Sequence, residues 1–184
     1  PGDLITAYAR PTVGKTWLCC LMAAIATENG FRTLFISPEM TKASINLRMD
    51  VILGHMNGYS LSHAAIRNGT DIDEEEYKKF LRNSDSKNLL ICDHISGEDS
   101  ISLPSINNLV RKYKPDFLVI DGVYLVSTRD TTKAAWEQSH SLFYGLKNLA
   151  LSNNITVMAS TQATRDAADM YTPPAPNQVA FGDA

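Results

Sequence analysis

Ala9-Arg10-Pro11-Thr12-Val13-Gly14-Lys15-Thr16 lies between a short apolar run, Leu4–Ala7, and a stretch of helical periodicity from Lys15 to about Glu28. An apolar strand, a tight loop and a helix opening on Gly-Lys-Thr form the phosphate-binding P-loop pattern, with Ala9 where the first glycine usually stands. The chemistry behind the pattern is direct. Backbone N–H groups of such a loop and of the helix N-terminus converge on phosphate oxygens. The Lys15 ammonium can reach the β- and γ-phosphates, and the Thr16 hydroxyl can take a position on Mg²⁺. Gly14 keeps a Cβ out of the path of approach. Ala9, Arg10, Pro11, Thr12, Val13, Gly14, Lys15 and Thr16 are therefore the expected ATP site, with Mg²⁺ as the accompanying ion.

Outward from this loop the chain alternates strands and helices, which argues for a mainly parallel α/β sheet flanked by helices. Asn29-Gly30 caps the first helix. Thr33–Ser37 reads as a strand, and Thr41–Leu53 as a helix with Thr41 at its N-cap. A polar stretch follows. Its acidic run, Asp71-Ile72-Asp73-Glu74-Glu75-Glu76, suits the first turn of a short helix ending near Arg82, with carboxylates against the positive end of the dipole. Leu89–Cys92 is a third strand, Pro104–Tyr113 a helix with Ile106, Leu109 and Val110 on one face, and Phe117–Ile120 a fourth strand. Ala134–Leu151 has the pattern of a long amphipathic helix, Ile155–Ser160 that of a fifth strand, and the proline-bearing stretch from Arg165 reads as a loop.

The 184 residues suit one domain, and the abrupt ends suggest a piece of a longer protein. Nothing resembles a secretory leader or a membrane span. Three cysteines, two of them adjacent, read as reduced thiols of a cytosolic protein, and the four histidines lack metal-ligand spacing. The aromatics, Trp17, Trp136 and Tyr8 among them, read as core residues. A formal net charge of −3 rules out nothing by itself, but proteins that coat duplex DNA by charge are usually basic, so any nucleic-acid contact here must use a few local cations.

Two acidic residues extend the site. Phe117-Leu118-Val119-Ile120-Asp121 is an apolar strand ending in an acid, the Walker B arrangement, in which the carboxylate holds a Mg²⁺ water beside the P-loop. Hydrolysis also needs a group to orient or deprotonate water, and Gly122 follows Asp121 where a second acid could have stood. Glu39, just past the second strand, is the candidate, because parallel strands bring their C-terminal tips to one edge. An exposed loop carboxylate is the alternative reading of that residue.

The P-loop, followed by Ile36-Ser37-Pro38-Glu39-Met40, resembles the RecA-like ATPase domain of DnaB-type replicative helicases, in which an Ala-Arg-Pro form of the loop precedes a strand ending in Glu-Met. The likeness continues through Val119-Ile120-Asp121 and through Ser160-Thr161-Gln162-Ala163-Thr164-Arg165, which is similar to the family's Ser-Gln-x-x-Arg segment with one residue shifted. The resemblance implies catalytic roles for Lys15, Glu39 as the water-activating base, and Gln162 as a γ-phosphate sensor. It implies metal roles for Thr16 and Asp121. It further implies a homohexameric ring in the cytoplasm with an arginine finger supplied by the neighbour, and 5′ to 3′ movement on single-stranded DNA. Arg129, Lys133 and Arg165 are the candidate DNA contacts; as alternatives, these are solvated surface charges and Gln162 is a polar strand end. One departure stands out. Gly122-Val123-Tyr124 replaces the family's Tyr-Leu-Gln after the Walker B Asp, suggesting a divergent member of the kind phages encode. Two other functions share these motifs: a RecA- or KaiC-like ATPase of another role, and a non-catalytic nucleotide-binding loader or adaptor.

Overall fold

A computed structural model describes residues 1–84, 87–95, 98–127 and 135–163, the side chains of 135 and 136 apart. Five strands form one parallel sheet: β1 (Leu4–Ala9), β2 (Thr33–Ile36), β3 (Leu89–Cys92), β4 (Phe117–Asp121) and β5 (Thr156–Gln162), in the spatial order β1-β5-β4-β2-β3. Among the described residues the helices are α1 (Lys15–Glu28), α2 (Lys42–Met56), α3 (His63–Asn68), α4 (Glu74–Asn83), α5 (Leu103–Tyr113) and α6 (Ala135–Asn153). A 3₁₀ turn at Val123–Leu125 follows β4.

The central strands are buried on both faces, and their alternation sorts side chains into two cores. Leu34, Ile36, Leu118, Ile120, Val157 and Ala159 face α5 and α6, meeting Ile106, Val110, Leu142 and Leu146. Phe35, Phe117, Val119 and Met158 face the other way, onto Cys19, Cys20, Ala23 and Ala24 of α1 and Ile45 and Met49 of α2. The α1 contacts are small residues, so that helix can lie close against the sheet and carry the loop at its N-terminus with it.

Local chemistry starts and stops these elements much as the sequence suggests. The Thr41 hydroxyl accepts from the Ser44 N–H at 3.3 Å, and Asp73 accepts from the Glu76 N–H at 2.9 Å. The end of the acidic run, Glu74-Glu75-Glu76, is the first turn of α4, where Glu74 and Glu75 also pair with Lys78 at 3.0 and 3.4 Å. These pairs are exposed and screened by solvent, so they add little to stability. Two strands are longer than expected: β1 runs to Ala9 and β5 to Gln162, because ladder pairing of Ala9 with Gln162 continues past the apolar stretch. The polar stretch after α2 holds α3, a helix too short to show a hydrophobic period. Trp17 corrects the expectation of a core aromatic. It is 37% exposed at the start of α1, with the Arg48 guanidinium 5.4 Å above its ring and His63 against its edge.

The α6 packing gives a direct check. Leu146 is fully buried whereas Tyr144, on the same helix, is 65% exposed. Leu146→Ala should cost about 2–5 kcal/mol in urea unfolding, and Tyr144→Ala about 0.5 or less.

Candidate active site

The sheet order makes β1, β5, β4 and β2 successive neighbours, so the P-loop, Gln162, Asp121 and Glu39 follow one another along a single edge. The loop itself is held by backbone conformation. Thr12 has φ 65° and Gly14 φ 100°, alternating left-handed positions that turn consecutive N–H groups into a concave surface. A Cβ at residue 14 would meet nothing within 4 Å, so it is the positive φ, not crowding within the protein, that requires glycine there. Thr12 is β-branched and strained in this region, and its hydroxyl donates to the Pro11 carbonyl at 2.7 Å.

Lys15 folds back along the loop, donating to the carbonyls of Ala9 and Arg10, both at 2.9 Å. Burial lowers its pKa, while the nearby Glu39 and Asp121 charges act in the opposite direction. Its ammonium is thus tied to the loop backbone and lies within electrostatic reach of both acids.

Asp121 is 1% exposed. Its Oδ1 accepts from the Ser160 hydroxyl at 2.7 Å, and the Ser160 oxygen accepts in turn from the Gly122 N–H at 2.8 Å. The register Asp121 opposite Ser160 makes this bridge possible. Asp121 Oδ2 has no partner among the described residues. A buried carboxylate oxygen left over in this way is costly unless a cation or its water completes it. The atom therefore fits a Mg²⁺ site, with Thr16 on the adjoining first turn of α1 as the second candidate ligand. Cys19 of α1 packs beside the same acid: burial and the Asp121 charge raise its pKa, and that of Cys20 is pushed up to about 12, so both thiols stay protonated.

Glu39 reaches across the tip of β4. Its Oε2 accepts from the Tyr124 hydroxyl at 2.7 Å, and the Gln162 amide donates to that same hydroxyl oxygen. At Gly122 it is the left-handed φ of 96°, not space, that calls for glycine: a Cβ there would lie in ordinary contact with Glu39, 3.4 Å from Oε2 and 3.5 Å from Cβ. The structure thus brings together Lys15, Thr16, Glu39, Asp121 and Gln162. The candidate DNA contacts Arg129, Lys133 and Arg165 lie outside the described residues.

Residues 1–175 match the DnaB-like helicase C-terminal domain family. The chain belongs to that family. It is 28% identical over 169 residues to the replicative DNA helicase DnaB of Geobacillus stearothermophilus, covering 89% of this chain and 36% of that protein. It is also 28% identical over 175 residues to that of Haemophilus influenzae, covering 90% of this chain and 36% of that protein. The chain thus spans about a third of the length of these relatives. Among solved structures, a DnaB-like replicative helicase, described with its interactions with primase, matches with a TM-score of 0.76 at 21% identity over 93% of this chain and 41% of that one. A second solved structure, of an ATPase domain, matches with a TM-score of 0.76 at 22% identity over 92% of this chain and 60% of that one. These likenesses establish the RecA-like fold for this DnaB-family domain.

Sequence reasoning places the acids and the loop but gives Tyr124 no role beyond marking a departure from the family pattern. No periodicity or motif points to it; only the turn at Gly122 returns its hydroxyl to Glu39. Ser160 is legible as part of a segment, not as the brace of Asp121. Ser160→Ala removes both bonds of that brace and should lower unfolding stability by about 1–3 kcal/mol in thermal or urea melts.

Proposed function

We propose that this DnaB-family chain is the ATP-hydrolysing motor domain of a ring-forming replicative DNA helicase that translocates on single-stranded DNA and unwinds duplex. The observation that carries this reading is the row of four strand tips bearing Lys15 and Thr16, Gln162, Asp121 and Glu39 along one edge of the sheet. Residues 1–184 form one RecA-like domain of a longer chain that works in the cytoplasm as a homohexamer, with an arginine finger contributed across the subunit boundary. Among the described residues no helix is long and apolar enough to cross a membrane.

In this mechanism the N–H groups of the loop and Lys15 hold the β- and γ-phosphates of ATP. Thr16 and Asp121 hold Mg²⁺, which when bound neutralises charge on the phosphate oxygens. Glu39 takes a proton from the water that attacks the γ-phosphorus, the bond to the bridging oxygen of ADP breaks, and phosphate leaves. Gln162 contacts the γ-phosphate and reports its loss through the end of β5 toward Arg165. Arg129, Lys133 and Arg165 contact the strand; a few such contacts per subunit, repeated around a ring, can hold DNA on an acidic protein.

The test is ATP hydrolysis by the full-length protein with and without single-stranded DNA. DNA should stimulate turnover strongly, and Lys15→Ala should abolish it. Turnover indifferent to DNA would favour a RecA- or KaiC-like ATPase of another role, and nucleotide binding without turnover would favour a loader or adaptor. Glu39→Gln should keep ATP binding while reducing kcat by about a hundredfold or more. Chelation of Mg²⁺ should stop turnover in the parent, and Asp121→Asn should raise the Mg²⁺ concentration needed for half-maximal rate.

A further inference from the structure

Tyr124 contacts two proposed functional side chains through a single oxygen. Its hydroxyl proton goes to Glu39 Oε2 at 2.7 Å, and its oxygen accepts from the Gln162 amide. A phenol has one proton to give, so the direction of the chain is fixed: Gln162 to Tyr124 to Glu39. Burial, then the hydrogen bond to Glu39, raises the Tyr124 pKa, so the ring remains a donor. The arrangement depends on Gly122, whose left-handed turn opens the 3₁₀ segment that carries Tyr124.

We propose that Tyr124 is a positioning residue that couples Gln162 to Glu39, so that movement of the β5 end sets the orientation of the water-activating carboxylate. This inference rests on the reading of Glu39 as the base. The physical reasons are two. Donation to Oε2 fixes the carboxylate rotamer and leaves Oε1 outside that bond. Donation from Gln162 polarises the phenol and strengthens its bond to Glu39, so loss of the amide contact weakens the hold on the base. Tyr124 touches neither the P-loop lysine nor Asp121 by any described hydrogen bond, so its effect should fall on kcat rather than on nucleotide affinity.

The experiment is a double-mutant cycle in the full-length protein, with DNA-stimulated kcat and the KM for ATP measured for Tyr124→Phe, Gln162→Ala and the pair, beside Glu39→Gln. Tyr124→Phe should lower kcat about tenfold, as expected for losing a hydrogen bond to a charged group, with KM for ATP within about twofold of the parent. Gln162→Ala made in the Tyr124→Phe background should then reduce the residual kcat, and the residual stimulation by DNA, much less than it does in the parent. Thermal melting should match the parent, because only one oxygen is removed. Tyr124→Met, which also deletes the hydroxyl and retains apolar bulk, should behave alike and serves if the first variant folds poorly. If Glu39→Gln is inactive while Tyr124→Phe turns over like the parent, or while the two losses simply multiply, the relay is wrong and Glu39 keeps its role. If Glu39→Gln turns over normally, the reading of Glu39 fails and the relay falls with it.

Discussion

A parallel sheet places the C-terminal end of every strand on one edge, and in this chain β4 lies between β2 and β5, with β5 against β1. From that constraint the site follows. Each functional side chain sits at or just past a strand tip, and the ladder sets the spacing: Ala9 opposite Gln162, Asp121 opposite Ser160, Ile36 opposite Ile120. Residues more than a hundred positions apart become neighbours without any loop having to find them.

The same edge is where unfavourable chemistry gathers. Thr12 and Gly14 hold left-handed backbone, Asp121 keeps one oxygen buried without a partner among the described residues, and Lys15 is partly desolvated. A structure tolerates such costs where the surrounding packing over-determines the conformation. Here the small residues Cys19, Cys20, Ala23 and Ala24 seat α1 closely on β4 and β5, so the loop that precedes it is carried by a rigid support. The two buried thiols serve this packing; with their pKa values raised, they are inert fillers.

Departure from the family pattern after Asp121 acquires a physical meaning once the turn is seen. Glycine at 122 gives up a side chain beside the acid and gains a left-handed backbone turn, after which the Tyr124 hydroxyl meets Glu39. Glu39 and Gln162 are then linked through a phenol. The network is specific because the role of each member is fixed: Gln162 donates, Tyr124 accepts and donates, and Glu39 accepts.

Much of this is legible in the residues themselves. The P-loop, the alternation of strands and helices, the caps at Asn29-Gly30 and Thr41, and the apolar strand ending in Asp121 all follow from local chemistry, which acts over a few residues and so leaves its mark in short stretches of sequence. The ends of β1 and β5 are not legible in this way, because ladder pairing, not apolar character, carries them to Ala9 and Gln162. The short α3 escapes a reading by periodicity because six residues are too few for a period, and Trp17 escapes it because a helix face is exposed or covered only by what packs on it. Which tips become neighbours, the Ser160 brace and the Tyr124 bridge are decided by strand order and by one left-handed turn. Those are properties of chain segments meeting across long sequence separations, and no local pattern of residues encodes them.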